Sequence, residues 1–121
     1  MAKKILVIED EETLRRAMTE FLTEEKFSVA SAEDGEKGLA MAVSEKPDLI
    51  LLDVMMPVMD GIEMAKQAKA KGIIAPIIFL TNMSDADHIS NAVQVVPSDY
   101  ILKADVPVSQ IVLQVKKRLG V

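Results

Sequence analysis

Apolar positions fall into two alternating patterns along the chain. Leu49, Ile50, Leu51 and Leu52 form an unbroken run with no period-two alternation, which predicts a strand buried on both faces, as in a parallel sheet covered by helices on each side. KILVIE (4–9), FSVAS (27–31), APIIFLT (75–81) and DYILK (99–103) are the other strand candidates. Between these runs the spacing becomes helical. Leu14, Ala17, Met18, Phe21 and Leu22 share one predicted helix face. Leu39, Ala42 and Val43 mark a second helix that ends near Pro47. A third runs from about Gly61 to Lys71, where Gly72 stops it. Ser84 with Asp87 is a capping-box signal for a fourth, continued by Ile89, Ala92 and Val93. Asp105 is expected to cap the last helix, with Pro107 in its first turn and Val108, Ile111, Val112, Val115 and Leu119 facing inward.

Five strands alternating with five helices predict an α/β domain with a parallel sheet and helices on both faces. Length and element count fit a flavodoxin-like (βα)5 fold with strand order 2-1-3-4-5, covering residues 1–121 as one domain. That order places strands 1 and 3 side by side. Glu9 and Asp10, at the end of strand 1, then meet Asp53, at the end of strand 3.

Composition narrows the chemistry. Half the residues are hydrophobic but only 3% are aromatic, so the core is aliphatic and rich in methionine. With no cysteine, disulfides, metal thiolates and a thiol nucleophile are excluded. The apolar run Ile5 to Ile8 is too short for a signal-peptide core or a membrane span, despite Lys3 and Lys4 before it. A soluble cytoplasmic protein with no membrane contact is expected. The net charge of -5 argues against nucleic acid as a partner of this domain, because binding a phosphate backbone depends on clustered Lys and Arg.

Candidate chemistry gathers at the carboxyl ends of the strands, where open α/β sheets bind ligands. After Asp53, Pro57 and Asp60-Gly61 mark a turn, and Asp60 with Glu63 resembles a helix cap. Taken singly, Glu9-Asp10-Glu11-Glu12 reads as an acidic first helical turn, and Asp53 as a turn or cap residue. Taken together, three carboxylates at one sheet edge call for raised pKa values or a bound cation. Oxygen donors without His or Cys favour Mg²⁺. Thr81 and Lys103 close strands 4 and 5. Singly they read as a loop hydroxyl and a solvated cation. Beside the acids they complete a site for a metal and a phosphoryl group.

These residues resemble those of the receiver domain of two-component response regulators, related to the single-domain chemotaxis regulator, over essentially the whole chain. The resemblance implies a signalling switch rather than an enzyme. It implies that Asp53, within DVMMPVMDG, takes a phosphoryl group from the phosphohistidine of a sensor histidine kinase or phosphotransfer protein. Mg²⁺ would be held by Asp10, Asp53 and the backbone carbonyl of Met55, with Glu9 acting through water. Thr81 would move to bond the phosphoryl oxygen, Tyr100 would turn inward, and Lys103 would neutralise charge. The face of helix 4, strand 5 and helix 5 would then change its hold on a downstream protein or a fused effector domain, with the chain a monomer or a weak phosphorylation-dependent dimer. Met55 and Met83 correspond to the positions that flank the attacking water.

Asn82, Val96-Pro97 and Ala104 depart from the family's usual small residue, Gly-Ala pair and proline. They support an alternative, a binding module of the same fold that no longer switches. A trans Lys103–Ala104 bond is expected, since a cis bond there would cost about 2.5–4 kcal/mol. Aspartyl phosphatases resemble a DxD pattern, whose second acid is replaced here by Met55. A flavin or nucleotide site would want a glycine- or hydroxyl-rich loop after strand 1, where EDEE stands.

Overall fold

In the computed structural model, residues 2–54, 56, 58–81, 98–102 and 107–121 are described, with 81 and 98–102 as backbone. The elements in chain order are β1 (Lys4–Ile8), α1 (Glu12–Glu24), β2 (Ser28–Ala32), α2 (Gly35–Glu45), β3 (Leu49–Asp53), α3 (Gly61–Ala70), β4 (Ile77–Thr81), β5 (Ser98–Leu102) and α4 (Val108–Leu119). Every strand pair is parallel and the order is β2-β1-β3-β4-β5, the flavodoxin-like arrangement. The helix expected over 84–93 and the expected Asp105 cap fall on residues outside those described, so α4 is the helix expected as the fifth.

Two apolar layers explain the unbroken runs. Leu6, Ile8, Ile50, Leu52, Ile77 and Phe79 pack on one side with Leu39 and Ala42 of α2 and Met64, Ala65 and Ala68 of α3. Ile5, Val7, Leu49, Leu51, Ile78 and Leu80 pack on the other with Met18 and Leu22 of α1 and Ile111, Val112 and Val115 of α4. Successive side chains of one strand point to opposite faces, and here each face is under a helix. Fully burying one such side chain contributes about 1.5–3 kcal/mol, so the strands at the centre of the sheet carry much of the stability.

Three local expectations change. Phe21 and Val43 are 43% and 48% exposed, because each lies at the edge of its helix's apolar arc and only the centre of the arc meets the sheet. Pro107 is the N-cap of α4 (φ -71°, ψ 161°), not part of its first turn, and among the described residues no side chain caps this helix. The Pro107 ring fixes φ near the observed value. The Pro107 carbonyl accepts from the Gln110 and Ile111 N–H groups at 3.0 and 3.4 Å.

Candidate carboxylate site

β1 and β3 pair with Ile8 opposite Leu52, so the next residue of each, Glu9 and Asp53, lies at the same carboxyl edge. The Glu9 N–H donates to the Ala32 carbonyl of β2 at 3.1 Å, extending the ladder by one residue. Asp10 follows as the chain turns toward α1. The outcome is a cluster in which one carboxylate oxygen from each of Glu9, Asp10 and Asp53 lies within 4.8 Å of the others. Glu9 is fully buried and Asp53 only 3% exposed, while Asp10 faces solvent.

Two like unit charges about 4 Å apart repel by about 4 kcal/mol at an effective dielectric constant near 20. A divalent cation turns that repulsion into attraction. The donor set fits a hard cation: three carboxylates, two sheltered and one open to solvent, with no His or Cys among them. Such a set with an open side suits Mg²⁺, which keeps several of its waters.

The loop after Asp53 is held tightly to the strand. The Val54 N–H donates to the Leu80 carbonyl at 3.1 Å, and the Gly61 N–H donates to the Val54 carbonyl at 2.8 Å. A Cβ on Gly61 would lie 2.1 Å from the Asp53 carbonyl oxygen, so glycine there lets α3 begin against the phosphoacceptor candidate's own backbone. The Asp60 side chain caps α3 by accepting from the Glu63 N–H at 2.8 Å. Val58 within this loop has φ +72° and is 75% exposed. That left-handed conformation is strained for a β-branched residue. On the neighbouring helix, Asp34 caps α2 by accepting from the Lys37 N–H, and a Cβ on Gly35 would lie 2.3 Å from the Met59 carbonyl oxygen. At the surface of α2, the Lys37 ammonium bonds Glu33. That hydrogen bond and charge hold the Glu33 carboxyl below its usual range and raise Lys37.

The structure thus brings Glu9, Asp10 and Asp53 together. Thr81 ends β4, one residue past Leu80, which pairs with Asp53; its backbone therefore stands at the next strand end. Tyr100 lies within β5 opposite Phe79. Lys103, Met55, Met83, Asn82, Val96, Pro97 and the Lys103–Ala104 bond lie outside the described residues. Two features escaped the sequence reading, the Gly61 contact and an Arg15 hydrogen bond to the Glu9 carbonyl at 2.8 Å. The Asp-Gly pair was a signal for the first, read there only as a turn. Nothing in residue spacing signals the second. Among the described residues, no helix is long and apolar enough to cross a membrane.

Residues 5–115 match the family model of the response regulator receiver domain. The chain is 40% identical over 103 residues to the alkaline phosphatase synthesis transcriptional regulatory protein PhoP of Bacillus subtilis strain 168, covering 85% of this chain and 43% of the relative. It is 38% identical over 116 residues to the transcriptional regulatory protein ResD of the same strain, covering 96% and 48%. The chain therefore spans less than half the length of these relatives. Among solved structures, the REC domain of AraT, a response regulator from Geobacillus stearothermophilus, superposes with a TM-score of 0.82 at 30% identity, covering 99% of this chain and 97% of that one. The Vibrio cholerae chemotaxis protein CheY4 superposes with a TM-score of 0.88 at 24% identity, covering 97% and 98%, a likeness of fold.

Proposed function

The chain belongs to the receiver-domain family of response regulators, whose business is phosphorylation-dependent signalling, and on that premise we propose that Asp53 is the phosphoacceptor of a Mg²⁺-dependent switch. The observation that carries the reading is the buried Asp53 carboxylate within 4.8 Å of Glu9 and Asp10 oxygens. A Asp53 oxygen attacks the phosphorus of a phosphohistidine on a sensor kinase or phosphotransfer protein. The new O–P bond forms as the P–N bond breaks, and the electron pair leaves with the imidazole nitrogen. A carboxylate is a weak nucleophile, so the transfer depends on in-line positioning and on charge neutralisation. Bound Mg²⁺ would supply much of that neutralisation, held by Asp10, Asp53 and the Met55 carbonyl, with Glu9 acting through water. Lys103 would add a second positive charge, and Thr81 a hydroxyl for the phosphoryl oxygen.

The output we propose is a change in the face built from the segment after β4, β5 and α4, with Tyr100 as its switching side chain. Relatives such as PhoP and ResD are named transcriptional regulatory proteins. This chain is proposed to act in the cytoplasm, through a fused effector or a separate protein target, without catalysing turnover of its own.

Incubation with a small acyl phosphate and Mg²⁺, followed by intact-mass measurement, tests the reading. One phosphoryl group should be added, labile to acid and base, and none to Asp53→Asn or in the presence of a chelator. Equal labelling of Asp53→Asn would refute the assignment. A chain that binds Mg²⁺ yet takes no phosphoryl group would be a binding module that no longer switches.

A further inference from the structure

The loops into α2 and α3 are each closed by an aspartate cap, Asp34 and Asp60, accepting from Lys37 and Glu63 N–H groups at 2.8 Å. The loop into α1 is built differently. Its N-cap residue, Glu11, makes no side-chain cap hydrogen bond. This same loop carries Asp10, the exposed member of the carboxylate cluster. Glu9 and Asp53 are placed by burial in the sheet edge, whereas the place of Asp10 depends on how the backbone leaves Glu9.

Arg15 reaches that exit. Its Nη1 donates to the Glu9 carbonyl at 2.8 Å, while the Glu9 N–H is tied to Ala32 at 3.1 Å. Both backbone polar groups of Glu9 are therefore engaged. The carbonyl that Arg15 holds belongs to the planar peptide group joining Glu9 to Asp10, so fixing it fixes where the Asp10 Cα, the root of that side chain, stands. Arg15 is itself anchored in α1, its N–H donating to the Glu11 carbonyl at 2.9 Å and its carbonyl accepting from Thr19 Oγ1 at 2.8 Å.

We propose that Arg15 is a positioning residue for the cation site: it clamps the Glu9–Asp10 peptide and holds the Asp10 carboxylate against Asp53. The inference rests on the Mg²⁺ reading above. Two effects of Arg15 have opposite sign. Its charge repels a cation, so charge alone predicts tighter Mg²⁺ binding when it is removed. Its hydrogen bond orders a ligand, so positioning predicts weaker binding. The repulsion between guanidinium and cation acts at the side of the site where Asp10 faces solvent and is screened by water and salt, whereas the charge-assisted hydrogen bond is part-buried and directional. Positioning wins.

The test titrates MgCl2 into the labelled full chain, following the Glu9, Asp10 and Asp53 amides, and measures the Asp10 order parameter without metal. Arg15→Met removes donor and charge but keeps the stem; Arg15→Lys keeps the charge. Arg16→Met, whose parent is exposed and pairs with Glu12, is the control. The Mg²⁺ dissociation constant should rise about tenfold in Arg15→Met, close to the low end of the effect of losing a hydrogen bond from a charged group. It should rise less in Arg15→Lys and stay unchanged in Arg16→Met. The Asp10 order parameter should fall from about 0.85 toward 0.6 in Arg15→Met. Unchanged or tighter Mg²⁺ binding in Arg15→Met, with the wild type responding normally, overturns the Arg15 proposal alone. An unchanged Asp10 order parameter also overturns it. A wild type with no Mg²⁺ response overturns the metal reading itself, and the cation-site role of Arg15 with it.

Discussion

Replacing Gly61 with alanine sets two effects against each other. Helix propensity favours the change by up to about 1 kcal/mol, since alanine loses less backbone freedom than glycine. Packing opposes it. The new Cβ would stand 2.1 Å from the Asp53 carbonyl oxygen, 2.9 Å from its carbonyl carbon and 3.0 Å from the Val54 Cα. All three are backbone atoms of the central strand and its exit, so no side-chain rotation relieves the contact. The start of α3 and the end of β3 would have to separate by about 1 Å or more to restore ordinary contact. That movement breaks the 2.8 Å bond from the Gly61 N–H to the Val54 carbonyl. Overpacking costs about 1–3 kcal/mol and the lost hydrogen bond about 1 kcal/mol. Net of propensity, Gly61→Ala should lose about 1–3 kcal/mol, a fall in melting temperature of roughly 5–10 °C for a chain of this size. Circular dichroism melts and urea titrations of metal-free protein measure it. An unchanged or higher midpoint would show that the close approach is not rigid and would refute the reasoning.

Asp60→Ala removes the α3 cap and should cost about 1 kcal/mol, within the range for such caps, read as a lower urea midpoint at constant slope. For Glu33 and Lys37, the lowered carboxyl contributes stability that is present above the ordinary carboxylate range and lost as pH falls through its folded value. The raised ammonium contributes stability that is present below the ordinary lysine range and lost as pH rises past its folded value. The stability difference between wild type and Lys37→Ala should therefore be flat from roughly pH 5 to 10, shrink in acid and fade in high salt, because both groups are exposed; growth of the difference in acid would contradict this. Phosphorylated chain carrying Met55→Asn or Met83→Glu should lose its phosphoryl group faster than wild type, since a thioether is only a weak acceptor and cannot orient a water as an amide or carboxylate can; equal decay rates would make the methionines structural.

Strand identity was legible because double-sided burial leaves a plain mark. Leu49 to Leu52 alternate between the two core layers, and both layers are built of apolar side chains. Helix faces were legible at their centres, as Met18, Leu22, Ile111, Val112 and Val115 show, and illegible at their edges. Phe21 and Val43 satisfy the helical period as well as their buried neighbours do, yet stand partly in solvent. Local capping was readable at Asp60, where donor and acceptor are three residues apart. It was misread at Pro107, where the fixed ring angle suits the cap position as well as the first turn.

Patterns that depend on neighbours along the chain, then, were written in the residues themselves: which segments are strands, which are helices, and that acids close two of the strands. Only the tertiary structure decided distances between parts far apart in sequence. Glu9 and Asp53 are separated by two helices and a strand, and their carboxylates come within 4.8 Å because β1 and β3 pair directly in register. The Gly61 contact and the Arg15 clamp follow the same logic at shorter range. Each depends on the direction in which a loop leaves a strand, a property of backbone angles and three-dimensional packing that residue spacing does not encode.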